Sequence, residues 1–271
     1  MTTSPNQTVL AETKDGICTI TLNRPEALNA LEHDMVAALG AVTGAAREDE
    51  TVRAVVITGA GDHFMAGGDI KTFKSWVDAE PDKAALGQKI EGFVHTVHPT
   101  VRNLREMEKP VIASVRGSVA GFGMSLMLAC DLVVAADDAV FTLAYCHIGQ
   151  SPDGGSTYAL PRTVGLKHAF EIACLGDRFG PEEAKAFGLI NRVVAEADLE
   201  SETAKLAARL ANGPTRAYAS TKALLNASLH RGLEDQMAAE AAAFGDGATT
   251  ADFEEGLTAF VEKHPPSFKG R

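Results

Sequence analysis

Two segments of this chain share an arrangement suited to holding a negative charge. Val55–Thr58 runs into Gly59-Ala60-Gly61 and then Phe64-Met65-Ala66-Gly67-Gly68-Asp69-Ile70. Val111–Val115 runs into Gly117-Ser118-Val119-Ala120-Gly121-Phe122-Gly123. Each reads as an apolar strand, a glycine-rich turn and the start of a helix. Glycine lets a backbone approach a ligand closely, and a helix start presents unpaired N–H groups. Two such N–H groups converging on one carbonyl oxygen would make an oxyanion hole; either segment alone reads first as a tight turn, and it is the pair that puts the functional reading level with it. A third stretch, Gly149-Gln150-Ser151-Pro152-Asp153-Gly154-Gly155-Ser156-Thr157, sets Asp153 before two glycines. That position suits a turn former or helix N-cap as well as a catalytic carboxylate.

The second glycine turn has a competing reading. Gly117-x-x-x-Gly121-x-Gly123 together with Tyr218-x-x-x-Lys222 matches the nucleotide turn and catalytic pair of short-chain dehydrogenases, which transfer hydride. A nucleotide turn should open the first βα unit of its fold, and here 116 residues precede it. Asp137-Asp138 follow in a turn, not at the end of a strand, so this reading is set aside.

The elements that must position these residues are legible in outline. Thr8–Thr13 and Ile17–Leu22 flank Asp15-Gly16, a hairpin signal, and a helical stretch over 31–47 follows. Ala54–Thr58, Pro110–Val115, Leu132–Ala136 and Ala139–Leu143 read as strands, the first two buried on both faces. Leu86, Ile90, Phe93, Val97, Val101 and Leu104 mark one face of a long helix, with a kink expected at His98-Pro99. Beyond Ala195 the chain reads as helix, with Leu199, Leu206 and Leu210 on one face and Tyr218, Leu225 and Leu229 on another. The pattern predicts an α/β fold with a core over 1–195 and a helical C-terminal region over 196–271.

Composition narrows the partners. The 271 residues are 45% hydrophobic and 23% charged, and 25 basic against 36 acidic residues leave a net charge of −11. Such a chain is a poor generic ligand for nucleic acid or an anionic membrane, so an anionic ligand needs local donors. The polar N-terminus lacks a signal peptide's apolar segment, no run of about 20 apolar residues occurs, and four dispersed cysteines form no C-x-x-C pair. The expectation is a cytoplasmic protein without disulfide or metal framework.

Taken together, the segments resemble the crotonase (enoyl-CoA hydratase/isomerase) superfamily over nearly the whole chain. The matching blocks are Asn23-Arg24-Pro25-Glu26-Ala27-Leu28-Asn29-Ala30-Leu31, the two glycine turns, Gly149-x-x-Pro152-Asp153-x-Gly155 with Leu160-Pro161-Arg162, and Pro181-Glu182-Glu183-Ala184-x-x-x-Gly188-Leu189-Ile190. The resemblance implies a spiral of ββα turns, a helical C-terminal region that packs homotrimers or dimers of trimers, and an acyl-CoA thioester as substrate. No cofactor is implied beyond the coenzyme A of that substrate. The backbone N–H groups of Gly68 and Phe122 take the oxyanion role by motif position. Coenzyme contacts are expected at Ala27, Ala66, Gly68, Asp69, Ile70, Lys71 and Gly121, and at Phe260 and Lys263 in the last helix.

The departures from the family pattern bear on the reaction. Hydratases of this family use two glutamates, whose motif positions here hold Ser125 and Tyr145. Ser125 reads as a small packing residue and Tyr145 as a pocket wall, since an unperturbed phenol titrates near ~10. Asp153 stands where Δ3,Δ2-enoyl-CoA isomerases of the peroxisomal type and the ring-epoxide isomerases of phenylacetate catabolism carry their carboxylate. The favoured reading is therefore a Δ3/Δ2 enoyl-CoA isomerase with Asp153 as its base. The alternatives are an enoyl-CoA hydratase, a dehalogenase- or hydrolase-like enzyme with Asp153 as nucleophile and His98 as base, and a non-catalytic acyl-CoA binder. The resemblance to 4-chlorobenzoyl-CoA dehalogenase rests on Tyr145, eight residues before Asp153, and on His98; the competing reading of His98 is a cap on a kinked helix. Phe73, Trp76 and Phe93 are read as acyl-pocket walls or as core.

Overall fold

A computed structural model describes Thr2–Thr3 and residues 7–271; Met1 and residues 4–6 of the polar N-terminal stretch lie outside the described residues. β1 (Thr2–Thr3), β2 (Val9–Lys14) and β3 (Ile17–Leu22) form an antiparallel entry. Asp15 and Gly16 close the β2–β3 hairpin with φ of 51° and 76°, the left-handed pair a two-residue hairpin turn requires. α1 (His33–Glu48) leads to β4 (Ala54–Gly59), which lies parallel to β3.

From β4 the chain repeats one step: a long strand in the main sheet, a short segment in a second layer, then helix. β4 is followed by Met65 in the second layer, then α2 (Ile70–Ala79) and α3 (Lys83–Glu106). β5 (Val111–Val115) is followed by β6 (Ser118–Ala120) and α4 (Phe122–Leu128). β7 (Leu132–Ala136) is followed by β8 (Val140–Thr142) and α5 (Ser156–Leu175). α6 (Pro181–Ala186) and β9 (Arg192–Val194) end the series. The main sheet runs β1-β2-β3-β4-β5-β7-β9, parallel from β3 onward, while a Met65–Val119 bridge and the β6–β8 pair build the second layer. This is the spiral expected from the sequence.

The continuous apolar strands are buried on both faces. Val55, Ile57, Val111 and Ala113 face the main core, while Val56, Ile112 and Val134 face Leu199, Leu206 and Ala207 of α7 (Leu199–Ala211). α7 thus packs on the sheet itself. α8 (Thr215–Ser228), α9 (Leu233–Gly247) and α10 (Ala251–Glu262) complete the chain. The α8 face read from Leu225 and Leu229 is open to solvent in the single chain, as are Leu233 and Phe244 of α9.

The long helix does not end at its proline. α3 runs unbroken through Pro99. Proline removes a single helical hydrogen bond, and buried Leu86, Val97 and Leu104 hold both halves of the helix on the core. The break in helical geometry falls instead in α5, at Gly165 (φ 76°, ψ 163°). Among the described residues all four cysteines are unpaired, and no helix is long and apolar enough to cross a membrane.

Candidate active site

The second layer lays the two glycine turns side by side. Phe64 N donates to the Arg116 carbonyl at 2.9 Å, Met65 N to Ser118 O at 3.0 Å and Ala120 N to Met65 O at 2.9 Å. The turns then touch through glycine. A Cβ on Gly67 (φ 100°) would lie 3.1 Å from Ala120 O and 3.5 Å from Phe122 N, and one on Gly121 (φ 51°) 3.4 Å from Gly67 Cα. Leu31 fixes the first turn from outside, donating to Gly67 O at 2.7 Å and accepting from Asp69 N at 2.9 Å. Among the described residues the N–H groups of Gly68 and Phe122 donate to no protein acceptor. The two free donors thus lie on turns in close contact, and two such N–H groups directed at one oxygen would stabilise charge on it.

Asp153 lies beside the second turn. Gly154, at φ 60°, packs so tightly that a Cβ there would lie 2.7 Å from the Phe122 ring and 2.9 Å from Ser125 Cβ. The Asp153 backbone carbonyl accepts from Ser125 Oγ (3.0 Å), Ser156 Oγ (2.8 Å) and Ser156 N (3.1 Å). Its carboxylate Oδ1 accepts the Tyr145 hydroxyl at 2.5 Å, and that hydroxyl lies 3.3 Å from Ser125 Oγ. Ser125 and Tyr145 therefore both engage Asp153, so neither is a mere spacer or wall. Gly155, not Asp153, is the N-cap residue of α5, which removes the capping reading of Asp153.

The electrostatics of Asp153 suit proton transfer. Burial raises its pKa above the usual carboxylate value, while the Tyr145 hydrogen bond and the charge of His98 pull it back. The Tyr145 phenol is driven well up by burial and by the neighbouring carboxylate, so it remains a donor. His98 is half-buried on α3 and stacks edge-on against His95 at 5.1 Å. It acts on Asp153 by charge, and no hydrogen bond joins the two among the described residues.

The other expected residues divide into two groups. Ala27 sits in a short helical turn, Pro25–Ala27, and Ala66 N donates to Leu28 O at 3.0 Å, so these segments are neighbours at the first turn. Ile70 and Lys71 open α2 and are exposed. Asp69 has a structural task, capping α2 by accepting from Lys71 N at 3.1 Å and pairing with Arg24 at 3.5 Å. By contrast, Phe260 is 85% exposed and Lys263 ends α10 at φ 60°; among the described residues neither touches this cleft.

Phe73 presses on the first turn, a Cβ on Gly68 lying 2.8 Å from its ring. It packs edge-to-face with Trp76 and Phe93 at 5.4 and 5.7 Å. Lys222, paired with Tyr218 in the hydride-transfer reading, is instead an internal tie. Its ammonium donates to Asp131 Oδ2 at 2.7 Å and to the carbonyls of Leu104 and Lys109. A contribution that the sequence alone does not single out comes from Asn29, fully buried in a left-handed conformation (φ 54°). It donates to Ala60 O at 3.0 Å and His63 O at 2.7 Å, fastening the first turn.

Known proteins share this architecture. The profile of the family described as Enoyl-CoA hydratase/isomerase matches residues 12–271. The chain is 39% identical to a protein of Rhodobacter capsulatus named probable enoyl-CoA hydratase, covering 97% of this chain and 98% of that one. It is 36% identical to the 1,2-epoxyphenylacetyl-CoA isomerase of Escherichia coli, with the same coverage of 97% and 98%. The crystal structure of an enoyl-CoA hydratase from Polaromonas sp. JS666 superposes with a TM-score of 0.90 at 33% identity, covering 96% of this chain and 99% of that one.

Proposed function

Because the chain belongs to the enoyl-CoA hydratase/isomerase family, we propose that it shifts the double bond of an acyl-CoA thioester, a Δ3/Δ2 enoyl-CoA isomerase with Asp153 as its base. The observation that carries this reading is a half-buried carboxylate whose loop packs against Phe122, on the turn that carries one of the two free backbone donors. The two motif positions that hold hydratase glutamates are occupied by Ser125 and Tyr145, both bonded to that carboxylate's residue. The 36% identical relative named as an isomerase supports the same direction.

The chemistry is one proton moved between two carbons. The thioester oxygen sits between Gly68 N–H and Phe122 N–H, which makes the C2 protons acidic. Tyr145 occupies Oδ1, so Asp153 Oδ2 takes a proton from C2; the C2–H electrons delocalise into a dienolate whose oxygen charge the two amides hold. The carboxylic acid so formed returns the proton at C4 and yields the conjugated 2-enoyl thioester. Asp153 must serve as base and then acid, and a pKa raised by burial serves both. Nothing in this sequence calls for a cofactor beyond the coenzyme A of the substrate.

Ala27, Ala66, Ile70 and Lys71 are assigned to the coenzyme, with Gly121 shaping the cleft and Asp69 holding the turn. Phe260 and Lys263 stand outside the cleft of one chain, so their part in binding coenzyme depends on assembly. The exposed apolar faces of α8, α9 and α10 support assembly into trimers or dimers of trimers.

The test is absorbance with a 3-enoyl-CoA and its 2-enoyl isomer. Conjugated absorbance gained from the first, with little lost from the second, is the expected result. Rapid loss from the second would make the protein a hydratase. Silence on both would favour the route with Asp153 as nucleophile, or a non-catalytic binder.

A further inference from the structure

The contact between the two glycine turns depends on a side chain that no step of the chemistry uses. In a regular parallel ladder around the Met65–Val119 bridge, the Ser118 amide would donate to the carbonyl of His63. That carbonyl is turned away, accepting Asn29 Nδ2 at 2.7 Å. The ladder is also irregular at this rung, with Phe64 N reaching Arg116 O at 2.9 Å. The Ser118 amide donates instead to the imidazole Nδ1 of His63 at 3.0 Å. A backbone N–H can only donate, so Nδ1 carries the lone pair and the ring proton of the neutral imidazole is on Nε2. The space is closely shaped around this bond: a Cβ on Gly117 (φ 51°) would lie 2.4 Å from Nδ1 and 2.1 Å from Asp62 O.

We propose that His63 is a positioning residue of the oxyanion site, its Nδ1 standing in for the missing ladder carbonyl and holding β6 at the distance where the Phe122 and Gly68 amides converge. Arg24, Asn29, His63 and Ser118 then form one chain of bonds across the two turns. Arg24 N donates to Asn29 Oδ1 at 2.9 Å, Asn29 Nδ2 to His63 O, and Ser118 N to His63 Nδ1. The remaining rungs fix the register of the turns; the His63 bond fixes where β6 begins, four residues before Phe122.

The inference rests on the reading of Gly68 and Phe122 as donors to the thioester oxygen, and its test separates the two. Two variants are compared with the wild type: His63→Asn, whose Oδ1 can accept in place of Nδ1, and His63→Leu, which has no acceptor. Turnover of a 3-enoyl-CoA and the infrared carbonyl band of bound, carbonyl-labelled butyryl-CoA are measured. His63→Leu is expected to lose about 10–100-fold in kcat with KM changed less than about threefold, because a small misplacement of a preorganised donor costs rate rather than affinity. Its bound carbonyl should be less red-shifted than in the wild type, and His63→Asn should restore both. Equal red shifts in wild type and His63→Leu would overturn the role of His63, as would equal losses of kcat in Leu and Asn. Absence of a red shift in the wild type would overturn the oxyanion reading itself. Nitrogen-15 spectra of histidine-labelled wild type give a check that needs no folded variant. An Nε2–H tautomer at His63 is expected, and an Nδ1–H tautomer would overturn the proposal.

Discussion

Opposing influences meet on the carboxyl group of Asp153. Burial raises its pKa, whereas the Tyr145 phenol and the charge of His98 favour the ionised form. Tyr145→Phe removes a hydrogen bond made to the carboxylate, so the pKa of Asp153 rises further. A reaction that needs the ionised base loses rate as pH falls through that pKa. The acid limb of log kcat/KM against pH is therefore expected to move to higher pH in Tyr145→Phe; an unmoved limb would show that the phenol does not act on the base. The motif placed Asp153 in view from the sequence, but the part of Tyr145 stayed open there. The two are eight residues apart, and the phenol is returned to the carboxylate by a short helical turn over Tyr145–Ile148, entered through Ala144 at φ 50°. Spacing alone does not reveal that geometry.

Between elements the site is set by backbone contacts without room for a methyl group. Gly154→Ala would place a Cβ 2.7 Å from the Phe122 ring and 2.9 Å from Ser125 Cβ, at a φ of 60° that strains any other residue. Either Phe122 or the Asp153 loop must shift. The variant is expected to lose about 1–3 kcal/mol of stability and about 100-fold in kcat, read from denaturation and turnover. Wild-type turnover in Gly154→Ala would show that the Phe122–Gly154 contact does not set the site. The glycine turns were legible because strand, glycine and helix start follow one another in the sequence. Residue type gives the cost of the hydrogen bond lost at Pro99 but not the burial that carries α3 through it. Similarly, the strands were legible as continuous apolar runs, whereas nothing in the sequence of α7 shows that the sheet, and not another helix, is what its apolar face covers.

Across the whole molecule, Lys222 ties α8 to the body of the fold. Its ammonium reaches Asp131 and the carbonyls of Leu104 and Lys109, and burial lowers its pKa while raising that of Asp131. Lys222→Met leaves the largely buried Asp131 carboxylate without its counter-charge, held among the described residues only by the Val111 N–H, and is expected to cost about 3–5 kcal/mol in denaturant unfolding. Adding Asp131→Asn should recover part of that loss, and equal stability of all three proteins would show the pair to be dispensable. The tie leaves the outer surfaces of α8, α9 and α10 free, with Leu229, Leu233, Phe244 and Phe260 exposed. The apolar face of α8 was visible in sequence through Leu225 and Leu229, but whether a face is covered by the same chain or by another copy is a property of the assembled molecule.

The measurement closest to the central claim is turnover of a 3-enoyl-CoA by Asp153→Asn, with binding of a saturated acyl-CoA and thermal melting measured on the same sample. Because burial raises the Asp153 pKa, the folded protein bears a cost for the ionised carboxylate above that pKa, and this cost disappears as pH falls below the unfolded value. The asparagine variant should therefore melt no lower than the wild type at neutral pH. Its turnover is expected to fall by about 10²–10⁴-fold with thioester binding retained. Wild-type turnover in a folded Asp153→Asn protein would contradict the account, because another group would then be moving the proton.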